Sequence, residues 1–158
     1  MYSVDTNIYL DWWVRRYPAD VFPTFRQQVE GLIAAGKWHA VERVCDELNH
    51  IGTPDLKAWV KSQAEQFVKH NAPLIAEANG VTTAFPGLLD PNARHDEADR
   101  YVIALAKLQG WAVVTHETPA RSKKHALRTH FIPNVCRGLG VPCIDLLELM
   151  RRENWSFR

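Results

Sequence analysis

The chain has 158 residues, 46% of them hydrophobic and 23% charged. That is the make-up of one globular domain with a core of its own, and it excludes wholesale disorder and a fibrous repeat. Nineteen lysines and arginines against 18 aspartates and glutamates leave a net charge of +1, and taken alone that balance argues against a nucleic-acid partner, because such domains are usually visibly basic.

No apolar run approaches the roughly 20 residues of a membrane helix. Met1-Tyr2-Ser3-Val4-Asp5 lacks the basic and apolar stretches of a secretory signal, so a cytoplasmic location is expected. Tyr2-Ser3-Val4 reads as a short strand that runs into Asp5-Thr6-Asn7, followed by the aromatic cluster Tyr9, Trp12, Trp13 and Tyr17. Pro23 suits the first turn of a helix carrying Phe25, Val29, Leu32 and Ile33 on one face, with Gly36 as its stop. Trp38 to Val41 is a candidate strand, and Val44, Leu48 and Ile51 share a helical face that ends at Gly52. Thr53-Pro54-Asp55 opens a helix predicted to reach about His70. Residues 71 to 92, with three prolines and two glycines, read as short helix and loop. Asp96 to Gln109 is a strong helical pattern closed by Gly110, and Trp111 to Thr115 is a continuous apolar run of the kind buried on both faces of a sheet. Ser122 to Phe131 is a basic loop or short helix, Pro133 to Leu139 one or two helical turns, Gly140 to Asp145 a last strand, and Leu146 to Arg152 a closing helix. Short buried strands alternating with helices, without hairpin signals, predict an α/β sandwich with a mainly parallel sheet.

The three cysteines, Cys45, Cys136 and Cys143, are odd in number and have no Cys-x-x-Cys spacing, so they read as buried thiols. The seven histidines stand singly, without a zinc-binding spacing.

The acids carry the chemistry. Ligands of a parallel sheet bind at the carboxyl ends of its strands. Asp5 follows the first strand, Glu117 lies just past the Trp111–Thr115 strand, Glu47 is on the helix after the second strand, and Asp96 and Asp99 are three apart at a helix start, which would put them on one face. Taken singly, each fits an ordinary role as a cap, a helix acid or a loop acid. Brought together they would repel, and some would have to take up protons. A hard divalent cation such as magnesium or manganese resolves that conflict, acidifies a bound water and screens a phosphate.

The order of these acids resembles the PIN domain, a family of metal-dependent ribonucleases. The family's Asp-Thr/Ser-Asn after the first strand is matched by Asp5-Thr6-Asn7, and its early helical Glu by Glu47 in Val44-Cys45-Asp46-Glu47-Leu48. Its D-x-x-I-A-x-A helix is matched by Asp99-Arg100-Tyr101-Val102-Ile103-Ala104-Leu105-Ala106, with one extra residue before Ile-Ala. Its strand ending in Thr/Ser-x-Asp is matched by Val113-Val114-Thr115-His116-Glu117, where Glu replaces the usual Asp. The Ile132–Cys136 and Pro142–Asp145 segments resemble a PIN-like branch often associated with toxin–antitoxin gene pairs. The resemblance spans nearly all of residues 1–158, read as one domain, and is weakest over 53–92. It implies a three-layer α/β/α fold and an endoribonuclease using Mg2+ or Mn2+. Asp5, Asp99 and Glu117 would be metal ligands, Glu47 a ligand or the group that orients water, and Asp96 a further metal-side acid. Asn7 and Thr115 would support the carboxylates. It also implies a homodimer and an inhibitory protein antitoxin.

Residues 118 to 140 contain Arg121, Lys123, Lys124, Arg128 and Arg137 and no acid, so that segment carries +5 and the remainder −4. Arg121, Lys123, Lys124 and Arg128 are candidates to contact an RNA backbone, the other reading being a solvated basic loop, and Tyr9, Trp12 and Trp13 are candidates either for stacking on bases or for core and interface. Two other readings stand beside the nuclease. One is a PIN-like module that binds RNA or a partner and cleaves weakly, kept open by Glu117. The other is a haloacid-dehalogenase-type phosphatase, disfavoured because Asn7 stands where that chemistry needs a second Asp.

Overall fold

A computed structural model describes residues 1–119 and 128–157. Strand β1 (Tyr2–Val4) is buried along its whole length. Asp5 ends it and caps α1 (Thr6–Leu10), its side chain accepting from the Thr6 N–H at 2.7 Å. α1 runs on into a π-helical turn at Asp11–Arg16. α2 (Pro23–Ala34) starts on its proline and buries Phe25, Val29, Leu32 and Ile33. Gly36, at φ 62°, turns the chain into β2 (Trp38–Val41). α3 (Glu42–Ile51) buries Val44 and Leu48, whereas Ile51 is exposed.

Two segments depart from the sequence reading. α4 (Pro54–Ser62) stops well short of His70. A 3₁₀ turn at Ala64–Gln66 follows, and then a two-residue strand, β3 (Phe67–Val68), which pairs in parallel with Ala40 and Val41. The expected short helix and loop over 71–92 is instead a 13-residue helix, α5 (Ala72–Ala84), followed by a 3₁₀ turn at Pro86–Leu88. Pro73 falls in the first turn of α5, where no backbone N–H is required, and Asn71 caps it by accepting from the Leu74 N–H at 3.0 Å.

α6 (Asp99–Gln109) starts three residues later than expected and ends at the left-handed Gly110. Then follow β4 (Ala112–Val114), α7 (Ile132–Leu139), β5 (Cys143–Ile144) and α8 (Leu146–Arg152), the last capped by Asp145. Among the described residues, five strands form one all-parallel sheet in the order β3-β2-β1-β4-β5, flanked by helices. This is the three-layer α/β/α architecture that the resemblance implies. From β1 the chain builds outward to β2 and β3, then returns to the other side of β1 for β4 and β5. The carboxyl ends of β1 and β4 are therefore the place where the winding reverses, and where such sheets bind ligands.

The aromatic cluster divides. Tyr9 and Trp12 are 0% and 1% exposed, which removes them from any base-stacking role. The Tyr9 hydroxyl accepts from Trp38 Nε1 at 2.8 Å and donates to the buried Gln66 Oε1 at 2.6 Å, so three buried polar groups satisfy one another. Trp12 packs against Trp59 and Phe25, with ring centroids 5.3 and 5.7 Å apart. Trp13 is half-buried, donates to Asp55 Oδ2 at 2.6 Å and lies under the Arg26 guanidinium. Among the described residues no helix is long and apolar enough to cross a membrane.

Candidate metal centre

Asp5 and Thr115 leave β1 and β4 side by side, because the Asp5 N–H continues the ladder to the Val114 carbonyl at 3.0 Å. Asp5 is 4% exposed, and its Oδ2 accepts from the Thr115 hydroxyl at 2.8 Å. The Thr115 oxygen in turn accepts from Asn7 Nδ2 at 3.2 Å and from the Glu117 N–H at 3.0 Å. Asn7 Oδ1 accepts from the His116 N–H at 3.0 Å. Asn7 and Thr115 thus tie the turn after β1 to the turn after β4.

Glu47 comes from α3 on the other side of β1. The Thr6 hydroxyl donates to its Oε2, and the Ala98 N–H at the start of α6 donates to its Oε1 at 3.0 Å. The amino end of α6 favours a negative charge there. Asp99 is the first residue of α6, and Glu117 Oε2 accepts from the Ile132 N–H at the amino end of α7 at 2.9 Å.

These acids lie close enough to act on one another's charge. Burial pushes the Asp5 carboxyl well above the ordinary carboxylate range, and the charges of Asp99, Glu117 and Glu47 push it the same way, against the lowering effect of the Thr115 hydroxyl. Asp99 is pushed up to about 7, first by burial and then by Glu117, with Arg128 pulling it down and Glu97 adding to the rise. Asp5, Glu47, Asp99 and Glu117 are therefore one interacting group of carboxylates.

Asp96 is placed differently. It lies before α6 rather than on a shared helical face with Asp99. It pairs with Arg100 at 2.8 Å and Arg43 at 3.6 Å and accepts from the Tyr101 hydroxyl at 2.8 Å. These cations hold its carboxyl below the usual range, although burial opposes them. The acid beside Asp99 is Glu97, whose Oε1 lies 3.2 Å from Arg128 Nη2. The expected helix start at Asp96 set Asp96 on one face with Asp99, and a helix starting at Asp99 removes that phase. Thr6 is a second residue the sequence reading left without a role, although its place inside Asp-Thr-Asn was the available signal.

Arg128 reaches into the cluster, with Nη1 2.6 Å from Asp99 Oδ2. Arg121, Lys123 and Lys124, the other residues expected at an RNA backbone, lie outside the described residues. A cleft of about 580 Å3 opens next to Glu47, lined by Arg43, His50, Arg94 and His95 together with Asp46, Asp90, Asp96 and Glu97. Its acids outnumber its arginines, so it suits a cation better than a phosphate.

The donor set is all oxygen, which fits Mg2+ or Mn2+. Among the described residues no three carboxylate, imidazole or thiolate side chains stand ready to hold an ion together. Each of the four acids faces protein donors, so holding an ion requires rotation of Asp99 and Glu117 or use of the lone pairs those donors leave free.

Fold and site together define an all-parallel three-layer α/β/α domain with a carboxylate cluster, Asp5 buried and Glu47, Asp99 and Glu117 half-buried, where its winding reverses. The chain belongs to the family described as domain of unknown function DUF4411, which matches residues 2–157. Curated proteins provide no match. Among solved structures the chain is similar to that described as FitAcB from Neisseria gonorrhoeae. The TM-score is 0.52, with 14% sequence identity over 91% of this chain and 96% of the other. At that identity the likeness bears on the fold.

Proposed function

We propose that the chain is a Mg2+- or Mn2+-dependent endoribonuclease and the toxin of a toxin–antitoxin pair. The observation that supports the reading is the meeting of Asp5, Glu47, Asp99 and Glu117 at the carboxyl ends of β1 and β4, where burial and mutual repulsion raise Asp5 and Asp99. Acids of that kind bind either protons or a divalent ion at neutral pH. When bound, the ion lowers the pKa of a coordinated water and screens a phosphate's charge.

The chain's own residues do the rest. Asp5, Asp99 and Glu117 would hold the ion. Glu47, fixed from two sides by Thr6 and Ala98, would hold it or orient the attacking water. Thr115 and Asn7 keep Asp5 and the 115–117 turn in register. Arg121, Lys123, Lys124 and Arg128 would meet the RNA backbone. A protein antitoxin and a second copy of the chain are the expected partners.

The second reading, a PIN-like module that binds RNA or a partner and cleaves weakly, is favoured by one contact: Glu117 caps α7 through the Ile132 N–H. Purified wild type incubated with varied single-stranded and transfer RNAs separates the two. The nuclease reading predicts cleavage that EDTA stops and that Asp5→Ala and Asp99→Asn abolish while both remain folded. Intact RNA in the presence of bound manganese supports the binding module instead.

A further inference from the structure

We propose that Arg128 is the resident counter-cation of the carboxylate cluster, and that a divalent ion binding at Asp99 competes with its guanidinium and displaces it. This inference rests on the metal-site reading above.

Four contacts fix the guanidinium. Nη1 lies 2.6 Å from Asp99 Oδ2 and donates to the Leu88 carbonyl at 3.1 Å, and Nη2 lies 3.2 Å from Glu97 Oε1. The guanidinium carbon sits 5.5 Å from the centre of the Phe131 ring. Two carboxylates, a carbonyl and an aromatic face make a socket that uses the planar fork of arginine, which a lysine ammonium would fill less well. The socket is built by packing as well as by charge. The His130 N–H donates to the Gly87 carbonyl at 3.1 Å, which joins the 3₁₀ turn at Pro86–Leu88 to the 128–131 segment. A Cβ on Gly87 would come within 1.9 Å of Thr129 Oγ1, so this close approach requires glycine.

Asp99 is the acid on which the two cations converge. It is a proposed metal ligand, and Arg128 already takes its Oδ2 through a short charge-assisted bond. A divalent ion on either oxygen of Asp99 would face the guanidinium across one carboxylate, a strong repulsion in a poorly solvated site. The two cations therefore compete for Asp99. A displaced guanidinium needs a new anion, and a phosphate group offers one of matching fork geometry. Arg128 is thereby a positioning residue for metal loading.

The test is manganese binding to the full chain by titration calorimetry, comparing wild type with Arg128→Gln and Arg128→Lys, with melting curves in EDTA and in manganese. Loss of the competing charge predicts manganese affinity in Arg128→Gln higher by about tenfold, with Arg128→Lys between the two. It also predicts a larger manganese-induced rise in melting temperature for Arg128→Gln than for wild type. Equal or weaker binding by Arg128→Gln, with wild type still binding, overturns the role of Arg128 and leaves the metal site standing. If neither protein binds manganese, the metal-site reading fails and this proposal falls with it. Phenylglyoxal labelling of wild type, mapped to Arg128 by peptide mass, keeps the question decidable should the variants not fold. Labelling must rise on addition of manganese, and unchanged or lower labelling overturns the proposal.

Discussion

Manganese binding should be coupled to proton release, and the structure sets the size of the effect. Asp99 titrates at about 7 because it is buried beside Glu117. A ligand carboxyl has to be deprotonated, so a proton competes with the ion. For a group with that pKa, the competition weakens binding by about elevenfold at pH 6 and by only about a tenth at pH 8. Manganese affinity should therefore rise about tenfold between pH 6 and pH 8 from Asp99 alone. Asp5 is raised in the same direction, which steepens the dependence. Titration calorimetry in buffers of different ionisation heat reads both quantities. Asp99 alone should release close to one proton per ion at about pH 6 and almost none above about pH 8.5, with Asp5 adding to the count. An affinity that changes by less than about threefold over this range, or binding without proton release at pH 6, would refute the idea that these raised acids are the ligands.

Other consequences follow from the same contacts. Without added metal, folding stability should fall as pH rises from about 4 to about 7. Asp99 binds its proton more tightly in the folded chain, so stability present below its unfolded pKa is lost as pH passes the folded value, by roughly 4 kcal/mol at most. Urea unfolding at several pH values measures this, and saturating manganese should flatten the decline. Thr115→Val removes the hydroxyl that holds Asp5 and accepts from Asn7 and Glu117. It should cost about 1–3 kcal/mol of stability and weaken manganese binding, with unchanged binding counting against its supporting role. Tyr9→Phe leaves Trp38 Nε1 and Gln66 Oε1 without their shared partner. It should lower urea stability by about 1–3 kcal/mol while leaving manganese affinity as it was. Gly87→Ala should loosen the Arg128 socket and raise manganese affinity in the direction of Arg128→Gln, as calorimetry would show.

Short strands built mainly of apolar residues were readable from residues alone, and so were the acids that follow them. β1, β2 and β4 are short buried runs, and Asp5 and Glu117 lie just past the first and third of these. β3 was hidden because Phe67 and Val68 continue the helical spacing of Leu56, Trp59 and Val60. Only pairing with Ala40 and Val41 makes them a strand. Prolines made 71–92 look broken, yet Pro73 occupies a first turn, where it does no harm. At the site, the sequence grouped Asp96 with Asp5, Glu47, Asp99 and Glu117, whereas the structure turns Asp96 to Arg43, Arg100 and Tyr101. The start of α6 is set by the Ala98 N–H meeting Glu47, a contact 51 residues apart in sequence. Arg128 was legible as a charge and not as the partner of Asp99, since that pairing depends on how the 86–88 and 128–131 segments pack. The net charge of +1 was the least informative number, because acids at the carboxylate cluster offset a basic stretch of the same chain.

Anomalous diffraction from a crystal soaked in manganese tests the central claim most directly. The expected peak is bounded by Asp5, Asp99 and Glu117, with Glu47 at its edge and the Arg128 guanidinium moved off Asp99. Manganese elsewhere on the molecule, with these four carboxylates still on their protein donors, would contradict it.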